Sequence, residues 1–470
     1  MAIKRKKQPN KLMTWVNARP ARLILFSFFL VILIGTSLLM LPYASADRQS
    51  IGLLRALFTA TSATCVTGLV VVDTATHWSV FGKGVILALF QIGGLGIVTI
   101  TSFFYSIMRR KASLKTMVVT QASTANFGFN DVMRLVRRIV LITFTIELTG
   151  GLLISWRLAS RYGWLTGIQK GFFQSVSAFC NAGFDVHGDT ASGPFSSLTA
   201  WNDDPFLLLV TGLLIIIGGL GFVVWNDLLS FRKNRKLNFH SKVVLTMTGI
   251  FLFIGTLFFY FTEAGNQSHS LSMGSLPQIQ RTIAAFFQSL TTRTAGFNTI
   301  DQHSLTDSSK FMTIFMMFVG AAPGSTGGGI KITTFAVIIA TILSDIQSRE
   351  DIVLFRHRLA RETFTRAFAI MGLAMTIVLT GSMLLTFTER TAIEAGDLSF
   401  IDLFFETVSA FATVGLSAAG TPDLQPASWA ILTPIMFMGR VGPVSFAIGL
   451  AMKSNIQRDI VHPEGRTLVG

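Results

Sequence analysis

One short design occurs four times along this chain of 470 residues: an apolar, Phe-bearing segment, then a few residues that end in glycine. It reads LFTATSATCVTGLVVVD over 57–73, GFFQSVSAFCNAGFD over 171–185, AFFQSLTTRTAGFN over 285–298 and LFFETVSAFATVGLS over 403–417. The closing glycines, Gly68, Gly183, Gly296 and Gly415, stand 113 to 119 residues apart. A period that long, held along the chain, marks an architectural repeat. A helix-capping glycine in a surface loop is the plainer reading, but a cap alone would not preserve the dozen or so residues before it.

Half of the residues are hydrophobic, only 13% are charged and 42 are Phe, more apolar side chain than one soluble core can bury. The chain reads as a polytopic membrane protein. Its net charge of +15 raises the question of nucleic acid, which the placement of the basic residues answers. They cluster at 1–22, 108–138, 231–242, 345–366 and from Lys453 onward, which together hold 27 of the 39 Lys and Arg. The connections between those clusters are acidic, as at Asp185, Asp189, Asp203 and Asp204, or Glu389, Glu394, Asp397 and Asp402. This is the positive-inside pattern; it puts both termini in the cytoplasm and leaves no basic face for nucleic acid. The apolar stretch 23–41 is too long for a signal peptide and lacks a small-residue cleavage site, so it reads as the first span. Two cysteines, Cys65 and Cys180, give no disulfide framework.

Each repeat has one plan: a span entering from the cytoplasm, a shorter helix before the glycine, and a returning span. The expected segments are 21–42, 51–64 and 79–107; 136–160, 167–179 and 205–230; 241–262, 277–292 and 310–346; and 364–388, 400–411 and 428–452. The repeats then occupy 21–107, 136–230, 241–346 and 364–452, joined by cytoplasmic loops at 108–135, 231–240 and 347–363, with an N-terminal segment 1–20 and a tail 453–470. The expected fold is an all-α polytopic membrane protein: eight transmembrane helices and four re-entrant helices around one pseudo-fourfold axis. About a dozen helical residues reach only half of the roughly 30 Å hydrocarbon core, which is why the short helices are read as re-entrant. Irregular backbone at that depth is tolerated where protein buries it or water lines it, and four glycine runs around one axis meet that condition together.

The residues before the four glycines differ: Val66 and Thr67, Asn181 and Ala182, Thr294 and Ala295, Thr413 and Val414. A site that reads its ligand through side chains would repeat the polar group. Here only glycine repeats, and with it the backbone freedom glycine allows, so backbone carbonyls are the expected ligands for a cation. The C-terminal ends of the short helices would add partial negative charge. Seven scattered histidines suggest neither a metal cluster nor a catalytic triad, and no enzyme activity or resident cofactor is expected. The rival reading on the same scaffold is a sodium-coupled secondary cation transporter, a class that favours inverted repeats and broken helices. Only the third returning span looks clearly broken.

The runs CVTGL (65–69), CNAGF (180–184), RTAGF (293–297) and ATVGL (412–416) resemble the selectivity filters of the Trk, Ktr and HKT superfamily of potassium transporters. Because residues 1–20 lead directly into the first repeat, the chain is most similar to the membrane subunit of a bacterial Ktr system. The resemblance implies uptake of potassium, with sodium as a further cargo, through a filter built by Val66, Thr67, Gly68, Asn181, Ala182, Gly183, Thr294, Ala295, Gly296, Thr413, Val414 and Gly415. Glycine at all four positions fits a potassium-preferring member better than a sodium-preferring one. It also implies a homodimer in the bacterial inner membrane, in contact with lipid, regulated by a separate cytoplasmic ring of nucleotide-binding subunits. That ring would meet the basic loops at 108–138 and 231–242, and the ending HPEGRTLVG resembles Ktr tails at a dimer interface.

The segment GAAPGSTGGGIK, 320–331, forbids a continuous helix in the third returning span. It misses the phosphate-loop pattern, which needs Ser or Thr after GK. By the resemblance it is a gate loop beneath the filter, carried by Gly324, Ser325, Thr326, Gly327, Gly328 and Gly329. Arg440, an isolated cation in the last span, is costly in a membrane unless it faces water or a partner; the resemblance puts it at the pore constriction. Arg293 and Glu406 are expected to pair behind the filter, since neither is easily buried alone. The third repeat has one residue fewer between Gln288 and Gly296 than the second has between Gln174 and Gly183, so its filter strand should be offset. Glu147 has no evident role in the sequence.

Overall fold

The computed structural model describes residues 20–96, 129–190, 192–349, 351–443 and 446. The expectations for 1–19, for 97–128 and for the last span and tail beyond 446 lie outside the described residues.

The first repeat contains α1 (Pro20–Leu39), α2 (Leu53–Cys65) and α3 (Val80–Leu95). The second contains α4 (Phe129–Tyr162), α5 (Trp164–Cys180), α6 (Pro205–Leu220) and α7 (Phe222–Asn234). The third runs through α8 (Phe239–Glu263), α9 (Gln278–Thr291), α10 (Asp307–Phe318) and α11 (Ile332–Ile346). A hairpin of β1 (Val353–Leu354) and β2 (His357–Arg358) leads to α12 (Arg361–Thr388), α13 (Arg390–Ala395), α14 (Phe400–Ala412) and α15 (Pro426–Val441).

Among the described residues, α4, α8 and α12 are long and apolar enough to cross a membrane as single helices. Their outward faces leave large apolar side chains exposed, including Leu141, Leu148 and Trp156 on α4, Phe253 and Phe261 on α8, and Met383 and Phe387 on α12. Such continuous apolar exposure suits a lipid surface and not water.

The short helices start and stop for local reasons. Ser399 caps α14 through a reciprocal capping box with Asp402. The Ser79, Asp204 and Thr306 side chains accept from the first turns of α3, α6 and α10. Tight helix contacts then order the bundle. The helix α2 packs on α1 and on α15, α3 on α5, α6 on α9, and α10 on α14. Those contacts run from the first repeat to the second, third and fourth and back to the first. The buried clusters sit mainly at these junctions; one joins Cys65 and Leu69 of the first repeat to Val408, Phe411 and Met436 of the fourth.

The returning helices depart from the sequence expectation. The second breaks as well as the third, at Gly221, where φ is 88°, while the third breaks over 319–331; α3 and α15 likewise end at a positive-φ glycine, Gly96 (80°) and Gly442 (92°). At Gly221 the chain turns by 99° between α6 and α7. The segments 205–230 and 310–346 are therefore helix pairs and not single spans. The glycines just before the ends of α3, α6 and α15 allow close packing. A Cβ on Gly93 would collide with the carbonyl of Thr64, one on Gly218 with that of Phe179, and one on Gly439 with that of Phe411. The returning helices approach the ends of α2, α5 and α14 so closely that only glycine fits.

Candidate functional site

The segments between each short helix and its glycine share one backbone course. Val66, Asn181 and Thr413 cap α2, α5 and α14 in the left-handed region, with φ of 59°, 55° and 53°. Thr294 takes the same conformation, with φ of 66°. Two residues later Gly68, Gly183, Gly296 and Gly415 have φ of 90°, 69°, 78° and 92°. Left-handed Val and Thr cost about 1–3 kcal/mol each and persist only where surrounding structure holds them. The holding bonds are present. Thr67 N donates to Ser62 O and Ala182 N to Ser177 O at 2.8 Å, and Val414 N to Ser409 O at 2.9 Å.

The four glycines face one another in a closed cycle. A Cβ on Gly68 would lie 2.6 Å from the carbonyl oxygen of Ala182, and one on Gly183 would lie 3.1 Å from that of Ala295. One on Gly296 would collide with the carbonyl of Val414, and one on Gly415 with that of Thr67. Each glycine thus abuts the carbonyl that precedes the glycine of the next repeat. This gathers Thr67, Gly68, Ala182, Gly183, Ala295, Gly296, Val414 and Gly415 around one point.

A set of hydroxyls, missed in the sequence reading, fixes these strands from behind. Ser62 Oγ and Ser409 Oγ accept from Gly68 N and Gly415 N, both at 3.1 Å. Ser177 Oγ donates to Phe184 O at 2.6 Å and Thr291 Oγ1 to Phe297 O at 2.8 Å. The signal is legible once the glycines are aligned: a Ser or Thr six residues before, or five in the third repeat. In that shorter repeat the helix cap Thr292 stays right-handed, unlike the three other caps.

On the side of the ring that the short helices approach lies the loop 320–331. A Cβ on Gly327 would strike Thr294 Oγ1, one on Gly328 would strike Thr413 Oγ1, and one on Gly329 would lie 3.2 Å from Ala412 Cα. The loop is pinned on several sides. Thr326 Oγ1 donates to Phe179 O at 3.2 Å, and Phe222 N donates to Gly324 O at 3.0 Å. Lys331 Nζ donates to Gly327 O at 2.6 Å, and Ser325 Oγ to Ala322 O at 2.6 Å. Arg440 Nη1 donates to Thr326 O and its Nη2 to Gly93 O. Arg440 takes the place in its repeat that Gly94, Gly219 and Ala321 take in theirs. The fourth returning helix alone carries a long side chain there, and it ties the loop to α3.

On the opposite side of the ring the loops after the glycines enclose a cavity of about 740 Å³. Gly68, Gly183, Gly296 and Gly415 line it, as do the carboxyl-bearing Asp73, Asp185, Asp301, Glu389, Asp397 and Asp423. Burial raises the Asp73 carboxyl above its usual range. Burial, aided by the charge of Asp73, raises Asp185 to about 7. Burial also pulls His187 down to about 3, so it is neutral near pH 7. The cavity is therefore acidic, with part of its charge set by pH.

Arg293 and Glu406 do not pair. Glu406 accepts from Ser417 Oγ at 2.8 Å and from Thr421 Oγ1. These hydroxyls, carried on the loop that follows Gly415, satisfy the carboxyl without a cation. Arg293 is buried with Nε and Nη2 lacking a partner among the described residues.

A family model described as "TrkH: Cation transport protein" matches residues 8–458. The Ktr system potassium uptake protein B of Bacillus subtilis (strain 168) is 37% identical over 98% of this chain and 99% of its own length. The protein of the same name from Vibrio alginolyticus is 37% identical over 96% of this chain and 94% of its own. The potassium/sodium uptake protein NtpJ of Enterococcus hirae is 34% identical over 96% and 97%. The crystal structure of the potassium transporter TrkH from Vibrio parahaemolyticus superposes with a TM-score of 0.70 at 16% identity, covering 95% of this chain and 86% of that one. The chain is a membrane transporter and not an enzyme, and it belongs to the TrkH family of cation transport proteins.

Proposed function

We propose that this chain is the membrane subunit of a potassium uptake system of the Ktr type. Potassium passes through the glycine ring, where the carbonyls of residues 66–68, 181–183, 294–296 and 413–415 replace its hydration shell. The cyclic contact of each glycine with the next repeat's carbonyl is the observation that carries this reading. It would supply backbone oxygens from all four repeats as ligands.

The loop 324–329 then acts as an intramembrane gate. It rests against Thr294, Thr413 and Ala412, directly below the ring, and Arg440 holds it there. The acidic cavity faces the cell exterior and draws in cations, and both termini face the cytoplasm. Two such chains form a homodimer with one pore each, and a separate cytoplasmic ring of nucleotide-binding subunits acts on the basic loops.

The printed name of the Enterococcus relative, a potassium/sodium uptake protein, favours sodium as a second cargo. Potassium and sodium uptake by cells lacking their own transporters tests the proposal, with Gly296→Ser alongside. The native chain should prefer potassium, and the substitution, which sets a Cβ against the Val414 carbonyl, should abolish that preference. Equal uptake of both ions by both forms would overturn it.

A further inference from the structure

Glu147 lies in α4, within a membrane-crossing helix, and is 3% exposed. An ionisable residue at such a position is expensive, so its surroundings should show its use. Nε2 of Gln91, on α3, stands 3.0 Å from both carboxyl oxygens of Glu147. Oε1 of the same Gln91 accepts from Cys180 Sγ at 3.3 Å, and that sulfur lies 3.9 Å from Glu147 Oε1. Ser175 Oγ, on α5, donates to the backbone carbonyl of Glu147 at 2.8 Å. The contact is tight: a Cβ on Gly94 would lie 2.8 Å from Cys180 Sγ. The donors converge on Glu147, and none of the ion pairs recorded among the described residues includes it.

Cys180 is the last residue of α5 and adjoins Asn181, where the second strand of the ring begins. The other repeats indicate why this strand needs support from below. In the third, Gln288 on α9 and Gln302, six residues past the glycine, exchange amide hydrogen bonds at 2.8 and 3.0 Å. In the fourth, Glu406 on α14 bonds Thr421, also six past the glycine. Gln174 stands at the same place on α5, yet neither of its amide atoms has a partner among the described residues. The second strand is not clamped by its own helix in this way. Beside the Ser177 bonds described above, its polar support comes through Gln91 and Glu147, from two neighbouring helices.

We infer that Glu147 is a positioning residue for cation selectivity, fixing Cys180 and thereby the strand 181–183 through Gln91. This rests on the glycine ring being the filter. Its role is to accept hydrogen bonds in a shared network, where a missing partner costs more than a solvent-exposed bond would.

The test compares potassium and sodium uptake by the native chain, Glu147→Leu, Gln91→Leu, the double variant and Glu147→Gln, each normalised to correctly inserted protein. Glu147→Leu and Gln91→Leu should each lower the potassium-to-sodium ratio about tenfold, the effect of 1.4 kcal/mol. The double variant should be no worse than the singles, because both break one network. Glu147→Gln should keep the ratio within about twofold, since two amides can pair as Gln288 and Gln302 do. With Cys65→Ala in the background, Glu147→Leu should also speed labelling of Cys180 by a small thiol reagent. An unchanged ratio in Glu147→Leu, or an equal loss in Glu147→Gln, would overturn the inference. Absence of any potassium preference in the native chain would instead overturn the filter reading itself, whereas the Cys180 labelling still reports on the network.

Discussion

Arg440 on α15 and Thr326 in the loop 320–331 are joined by a charge-assisted hydrogen bond from the guanidinium Nη1 to the carbonyl oxygen. Nη2 of the same group holds the carbonyl of Gly93. One side chain thus connects the fourth repeat to the first and to the loop of the third. Hydrogen bonds of this kind contribute roughly 1.5–3 kcal/mol. If they favour the closed position of the loop, Arg440→Ala should raise the maximal rate of potassium uptake by about tenfold. Arg440→Lys, with one amine in place of the two-pronged fork, should fall between the two. Isotope uptake at saturating potassium checks this; unchanged or lower flux in a correctly inserted Arg440→Ala protein would contradict it.

The hydroxyls behind the ring give a second expectation. Ser62 and Ser409 are acceptors for the buried amides of Gly68 and Gly415. Leaving such a donor without a partner costs about 1–3 kcal/mol. Ser62→Ala and Ser409→Ala should therefore lower the melting temperature in detergent and reduce the preference for potassium over sodium. Thr could supply the same oxygen, so Ser409→Thr should retain more of both. Thermal unfolding and paired uptake of the two ions measure it.

The repeat was legible because a left-handed backbone leaves a compositional trace: glycine where φ is positive and the neighbouring backbone is close. Gly68, Gly183, Gly296 and Gly415 carried that trace plainly. A second trace of the same kind lay at 91–96, 216–221, 318–324 and 437–442, as QIGGLG, IIGGLG, FVGAAPG and FMGRVG. Only the third is conspicuous, through its proline, although each stands at the end of a returning helix. The error over Arg293 and Glu406 has a different origin. Charge is conspicuous in an apolar sequence and hydroxyls are not, yet Ser417 and Thr421 answer the carboxyl, 11 and 15 residues along the chain. Glu147 was opaque for the same reason, since its partner Gln91 is 56 residues away in another repeat.

Because Glu406 and Arg293 do not meet, their removal should be independent. Glu406→Ala strands the Thr421 and Ser417 hydroxyls and should destabilise the fold by about 2–4 kcal/mol, as loss of a buried polar partner does. Arg293→Met replaces a buried guanidinium that lacks partners at two nitrogens and should cost less than that or stabilise. A double-mutant cycle on thermal or denaturant unfolding should give coupling below about 0.5 kcal/mol. Strong coupling would restore the direct pair.

The pH dependence of uptake should come from the cavity outside the ring. Burial, with the charge of Asp73 beside it, raises Asp185 to about 7. Its carboxyl is charged above that value and neutral below it. With the cavity on the cell exterior, as proposed above, lowering the external pH from 8 to 6 removes negative charge where the cation enters, and uptake at limiting potassium should fall about twofold to threefold. Uptake at saturating potassium should change less, because the loss lies in local ion concentration. His187 contributes nothing in this window, since burial holds it near 3. Lys170 and Asp189 also act on Asp185, in opposite senses, so the midpoint follows the whole cluster. Asp185→Asn should flatten the profile between pH 6 and 8 and give, at pH 8, the lower uptake of the native chain at pH 6. A native-like slope in Asp185→Asn would assign the titration to another group.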